Sequence, residues 1–127
     1  MSKTTVMIFF IFLISSVSAV PDLAVQKIDK GSVIISEIGN AASFDLVINN
    51  SGEKDLFDIY TLVGVAIEPG DKFEIEQGET KTISIMAYPN ENILRTRKGF
   101  LGFEYQIKGR NSGIFKDNLL IEIVKLN

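Results

Sequence analysis

From residue 22 onward, apolar and polar positions alternate in short blocks separated by turn residues, and no block keeps a helical 3.6-residue period for three turns. Successive side chains of a strand point to opposite faces, so alternation with period two marks a strand with one buried side. The clearest blocks are 43–48, where Phe44, Leu46 and Ile48 oppose Asp45 and Val47; 80–87, where Ile83, Ile85 and Ala87 oppose Thr82, Ser84 and Met86; and 99–108, where Leu101, Phe103, Tyr105 and Ile107 oppose Phe100, Gly102, Glu104 and Gln106. Shorter or less regular strands are expected at 22–28, where Leu23, Val25 and Lys27 share a face, and at 33–38, 56–65 (broken at Gly64) and 72–76. Turns are expected at 29–32, 39–40, 49–53, 68–71, 77–79 and 109–113, with Pro69 presetting φ in one and Gly52 supplying a positive φ in a hairpin connection. Seven or eight short strands with turns at such regular intervals predict an all-β sandwich.

Two segments depart from clean alternation. Residues 88–98 are irregular, with a helical turn or loop at 90–94, and are expected to cross between sheets. The last strand, 115–126, is apolar on both faces: Ile121 and Ile123 on one, and Leu120, Val124 and Leu126 on the other. Such a strand is covered on both sides by its own chain, or it exposes a stripe for a partner or for strand addition along its edge.

The N-terminus follows a different pattern. Lys3 precedes an uncharged apolar run, 6–14, and then Ser15, Ser16, Val17, Ser18 and Ala19. A positive start, a short apolar core and small residues at −3 and −1 are the three parts of a secretory signal peptide, so residues 1–19 are expected to direct export and to be cleaved after Ala19. Retained, the segment would instead tether the chain to a membrane, since residues 4–21 carry no charge. Cleavage would leave one domain, 20–127.

Removing 1–19 takes one cation and no acid, so Lys plus Arg falls from 13 to 12 against 16 Asp plus Glu, and the net charge moves from −3 to −4. A mild acidic balance gives no electrostatic footprint for nucleic acid. Cysteine, histidine and tryptophan are all absent. Their absence excludes Ser-His-Asp and Cys-His nucleophiles, thiolate or imidazole zinc sites, histidine-ligated haem and indole sugar platforms. It also means that an exported domain of this size must hold together without a disulfide. No enzyme activity and no cofactor are expected. A carboxylate pair alone could serve a glycosidase, but a sandwich of about a hundred residues offers little cleft for one.

Three segments resemble the immunoglobulin-like modules of archaeal and bacterial cell-surface proteins associated with adhesion. Residues 44–52 are similar to the strand and Asn-x-Gly connection of that family, 75–85 to its Gly-Glu turn leading into a Thr-rich strand, and 99–105 to its Gly-aromatic strand entry. The resemblance implies an immunoglobulin-like β-sandwich with a structural or adhesive role, and partners among other cell-envelope proteins or tandem modules. It supplies no catalytic residue. Phe100 stands where many such domains carry a tyrosine that bonds back to the backbone. The alternatives are an assembly chaperone or subunit pairing by strand addition, and an accessory sugar- or metal-binding module.

Four candidate sites remain. Asn49-Asn50-Ser51 is an N-glycosylation acceptor expected on an exposed turn, with Asn49 as the modified residue. Acids at Glu53, Asp55 and Asp58, and at Glu68, Asp71, Glu74, Glu76 and Glu79, raise calcium, although no Asp-x-Asp-x-Asp-Gly spacing occurs. Arg95, Arg97 and Lys98 form the one basic cluster visible in the sequence. Tyr60, Tyr88 and Tyr105 with nearby carboxylates are the residues from which a sugar-binding patch would be built.

Overall fold

A computed structural model describes residues 22–62 and 64–126. The expected export segment, 1–19, lies outside the described residues. The elements run β1 (Leu23–Gly31), β2 (Val33–Ile35), β3 (Ala42–Asn50), β4 (Asp55–Tyr60), β5 (Val65–Glu68), β6 (Phe73–Ile75), β7 (Thr80–Pro89), α1 (Glu91–Thr96), β8 (Gly99–Gly109) and β9 (Gly113–Val124).

The strands form two sheets, of order β1-β3-β7-β5 and β2-β9-β8-β4-β6. With β1 and β2 as two halves of a first strand, this is the A-B-E-D against G-F-C layering of an immunoglobulin-like sandwich, with β6 added beside the C position. The connectivity has one peculiarity: the chain visits the D position (β5) before the strand beside C (β6).

Alternation decides what is buried. Phe44, Leu46 and Ile48 of β3, Ile85 and Ala87 of β7, Phe103, Tyr105 and Ile107 of β8, and Leu119, Ile121 and Ile123 of β9 meet in one core with Ile34, Phe57, Ile59 and Ile75. Each fully buried aliphatic side chain contributes about 1.5–3 kcal/mol relative to exposure, so a chain without cysteine relies on this layer.

Where the chain changes sheets, polar side chains hold the corner, exposed at the first and buried at the second. At the first corner β1 and β2 are nearly continuous, where an ordinary turn was expected. Gly31, at φ +148°, makes the step, while Asp29 accepts from Gly31 N at 2.8 Å and from Ser32 Oγ at 2.6 Å. At 49–53 the expected hairpin is replaced by a crossover: β3 pairs with β1 and β7, whereas β4 pairs with β6 and β8. Gly52 is not among the glycines with positive φ. The connection is held instead by the fully buried Asn50, whose Nδ2 donates to Glu53 O and Ile75 O and whose Oδ1 accepts from Gly52 N. A buried amide with its hydrogen-bonding capacity this fully used fixes a corner that apolar packing alone would leave loose.

Residues 56–65 are likewise divided. β4 ends at Tyr60 in the second sheet, and β5 begins at Val65 in the first. The irregular stretch does cross between sheets, and its helical turn is α1, capped by Asn90 Oδ1, which accepts from Ile93 N at 2.8 Å.

Candidate interaction surfaces

Among the described residues no group of three or more acidic side chains is placed to hold a metal ion. Four of the acids flagged for calcium, Asp55, Glu74, Glu76 and Glu79, have other partners. Asp55 is buried, and its carboxylate accepts from Leu56 N (2.8 Å), Asn111 N (3.0 Å) and Ser112 Oγ (2.5 Å). Burial alone would push this carboxyl up, but the hydrogen bonds from Ser112, Asn111 and Leu56 outweigh it and hold the group below its ordinary 3.8. Asp55 therefore clamps the β8–β9 turn to the start of β4. Glu74 and Glu76 both pair with Lys54, at 3.5 and 3.4 Å, and Glu79 accepts from Glu76 N.

The three tyrosines do not form a patch. Tyr105 is fully buried and donates its hydroxyl to Asp117 Oδ2 at 3.2 Å. Burial, and then the Asp117 charge, push its pKa far above the ordinary 10.0. Tyr60 lies in the second sheet and Tyr88 in the first.

Asn49 is in β3, between Ala24 of β1 and Thr80 of β7, rather than on a turn. Its side chain is half-buried, and Nδ2, the atom a glycan would occupy, donates to Thr80 Oγ1 at 2.9 Å. Alternation that continued through two asparagines was the available signal for the longer strand.

The basic cluster at Arg95, Arg97 and Lys98 sits at the C-terminal end of α1. Arg95 bonds to Asn92 Oδ1, and Lys125 caps the helix by donating to Leu94 O (3.2 Å) and Arg95 O (2.9 Å). Arg95 and Lys125 line a depression with Glu37 and Glu91, so its charge is mixed.

The apolar outer face of β9 is partly uncovered. Leu120 is 55% exposed and lies opposite Gly102, which has no side chain to shield it. In the adjacent row Phe100, Glu122 and Val33 stand side by side, with Phe100 73% and Val33 49% exposed. Val124 pairs with Ile35 and is half-buried, and Leu126, past the strand, is 65% exposed. The expected stripe of Leu120, Val124 and Leu126 is thus interrupted by Glu122, and the surface widens sideways to Phe100 and Val33. The lateral neighbours could not be read from β9 alone, because alternation gives a residue's face and not its partner strand.

Nor is β9 a free edge along its whole length. β8 pairs with it throughout, and β2 covers its other side at Glu122–Val124. Between Gly113 and Ile121 that side has no strand partner among the described residues. Instead Lys27 of β1 donates to Asn118 O at 2.9 Å and pairs with Asp117 at 3.3 Å. Beside this contact, Lys27, Asp29, Phe44, Leu119 and Leu120 line a mostly apolar groove of about 360 Å³ between the two sheets.

No protein-family model matches the chain, and no curated protein matches it. Solved structures do. A FixG-related protein from Vibrio parahaemolyticus aligns over 82% of this chain and 98% of its own, with a TM-score of 0.62 and 11% identity. The periplasmic chaperone SfaE aligns over 82% of this chain and 58% of its own (TM-score 0.48, 11% identity), and a β-glucosidase from Listeria innocua over 82% and 16% (TM-score 0.47, 11% identity). At such identities the first of these shows a shared immunoglobulin-like sandwich and nothing about activity.

Proposed function

We propose that this chain is a non-catalytic, exported immunoglobulin-like module with a structural or adhesive role at the cell surface, engaging envelope proteins or neighbouring modules through the outer face of β8 and β9. The observation that carries this reading is the exposed apolar surface of Phe100, Leu120 and Val33, on a sheet whose inner face is fully packed. Exposed apolar side chains clustered on a sheet face are a common form of protein contact site. The three parts of an export signal at 1–19 supply the location, and the missing residue types remove the usual catalytic alternatives.

The test has two parts. Fractionation of the native host should recover the chain outside the cytoplasm with a mature N-terminus at Val20; a chain confined to the cytoplasm would overturn export. A photo-crosslinker at Leu120 should give discrete higher-mass adducts in intact cells, and Phe100→Ser should abolish them without moving the melting temperature. Adducts unaffected by Phe100→Ser would remove this face as the contact.

A second reading, strand addition, is favoured by one feature: the unpaired side of β9 between Gly113 and Ile121, beside the apolar groove. Lys27 lies across that edge and opposes it, since a charged side chain at a strand edge is a common device against pairing.

A further inference from the structure

Lys72 is far in sequence from Lys108 and Arg110, yet the three meet on the outer face of the second sheet. Asp58 lies opposite Lys108, Phe57 opposite both Gly109 and Phe73, and Arg110 N donates to Leu56 O at 2.9 Å. Lys72, just before β6, continues the row of Asp58 and Lys108, and the next outward row carries Glu74, Leu56 and, just past β8, Arg110. Leu56, Asp58, Lys72, Lys108 and Arg110 together enclose a hollow of about 440 Å³, within the range of small-ligand sites.

The charges in this hollow are not compensated. Among the described residues Lys72, Lys108 and Arg110 form no salt bridge, while the nearby carboxylates Glu74 and Glu76 are already taken by Lys54. Asp58 is the one carboxylate lining the hollow with the three cations, and Glu74, opposite Leu56, stands beside it and shares Lys54 with Glu76. The backbone beneath is rigid, because the residues following Arg110, Asn111 and Ser112, are both held by the buried Asp55. That anchoring fixes where Arg110 enters the hollow, while the three cationic side chains themselves are exposed.

We propose that this hollow binds a carboxylated saccharide. The carboxylate would take the guanidinium fork of Arg110 with support from Lys72 and Lys108, since that fork matches a carboxylate in a way a lone ammonium does not. A ring hydroxyl would donate to Asp58, and the apolar edge of the ring would lie on half-buried Leu56. A small inorganic anion would use the cations but would be repelled by Asp58 and leave Leu56 without a role. The site deepens the adhesive reading and rests on it only for where such a saccharide is met.

Calorimetric titration of the purified chain with trigalacturonate, its methyl ester and inorganic phosphate tests the site. Trigalacturonate should bind about tenfold more tightly than either control, and Arg110→Gln and Lys108→Gln should each weaken it by about tenfold, the scale of one charge-assisted hydrogen bond. All the side chains changed lie on the sheet surface, so the melting temperature should stay unchanged. Asp58→Ala should weaken the saccharide and strengthen phosphate. Absence of binding, equal binding of the methyl ester or of phosphate, variants that bind like the parent, or tighter saccharide binding by Asp58→Ala would each overturn the proposal. None of these results bears on export, which is read independently from the mature N-terminus.

Discussion

Gly109 shows how one residue can be required by a neighbour's chemistry rather than by its own conformation. It ends β8 in a buried position, where a Cβ would stand 2.6 Å from Asp55 Oδ2, 3.2 Å from Phe57 Cε1 and directly against Ser112 Oγ. None of these can retreat cheaply: Asp55 and Ser112 are bound to each other, and Phe57 is in the core. Gly109→Ala should therefore destabilise the chain by about 2–3 kcal/mol, as overpacking of a tight site does. The measurement is equilibrium urea unfolding; a loss below about 0.5 kcal/mol, the range of neutral surface changes, would mean that the turn relaxes around the methyl group. The sequence offers Gly109 only as the start of a turn, because two of the three atoms that exclude a side chain come from β4, more than fifty positions away, and one of those, Asp55 Oδ2, holds Ser112 in place.

At the level of elements, β9 has the most consequential surroundings. Its C-terminal quarter is sheathed by β2, whose own outer side is satisfied by Asn40: Oδ1 accepts from Ile35 N and Nδ2 donates to Val33 O. The rest of that side relies on Lys27, reaching across from the other sheet to Asn118 O and Asp117. Lys27→Ala should leave the monomer nearly as stable as before, since a partly exposed ion pair is worth at most about 1 kcal/mol. It should also free backbone groups that another chain can pair with. Sedimentation velocity over a concentration series should show reversible self-association of the variant and none of the parent. A variant that stays monomeric at the highest concentration would show that Lys27 does not guard the edge. The strands themselves were legible: β3, β7 and β8 bury the faces their alternation assigns. What alternation withholds is which strands become neighbours. For that reason the crossover at 49–53 reads as a hairpin, and nothing in the alternation brings Lys72 together with Lys108 and Arg110.

The whole molecule combines these local devices into a stability that depends on pH at both ends. Asp55 has a folded pKa below 3.8, so the folded state binds fewer protons than the unfolded state in acid. Its contribution is complete above the ordinary carboxyl value and disappears as pH falls through the lower folded value. Tyr105 behaves in the opposite sense. Its folded pKa is raised above 10.0, chiefly by burial and next by Asp117, so its contribution is complete below pH 10 and is lost as pH rises beyond that. With no histidine in the chain, no imidazole titrates between these limits, and the melting temperature should be nearly flat from about pH 5 to pH 9. The two limbs are separable because Asp55 ties the β8–β9 turn to β4, whereas Tyr105 is bonded to Asp117 farther along the same strand pair. Asp55→Asn should lower stability at neutral pH and flatten the acid limb while leaving the alkaline one. Tyr105→Phe should cost about 1 kcal/mol for its hydrogen bond and remove the alkaline limb alone. Thermal unfolding of the three proteins across pH 2 to 11 decides the matter: an acid limb that survives Asp55→Asn unchanged, or an alkaline limb that survives Tyr105→Phe, assigns that limb to other groups.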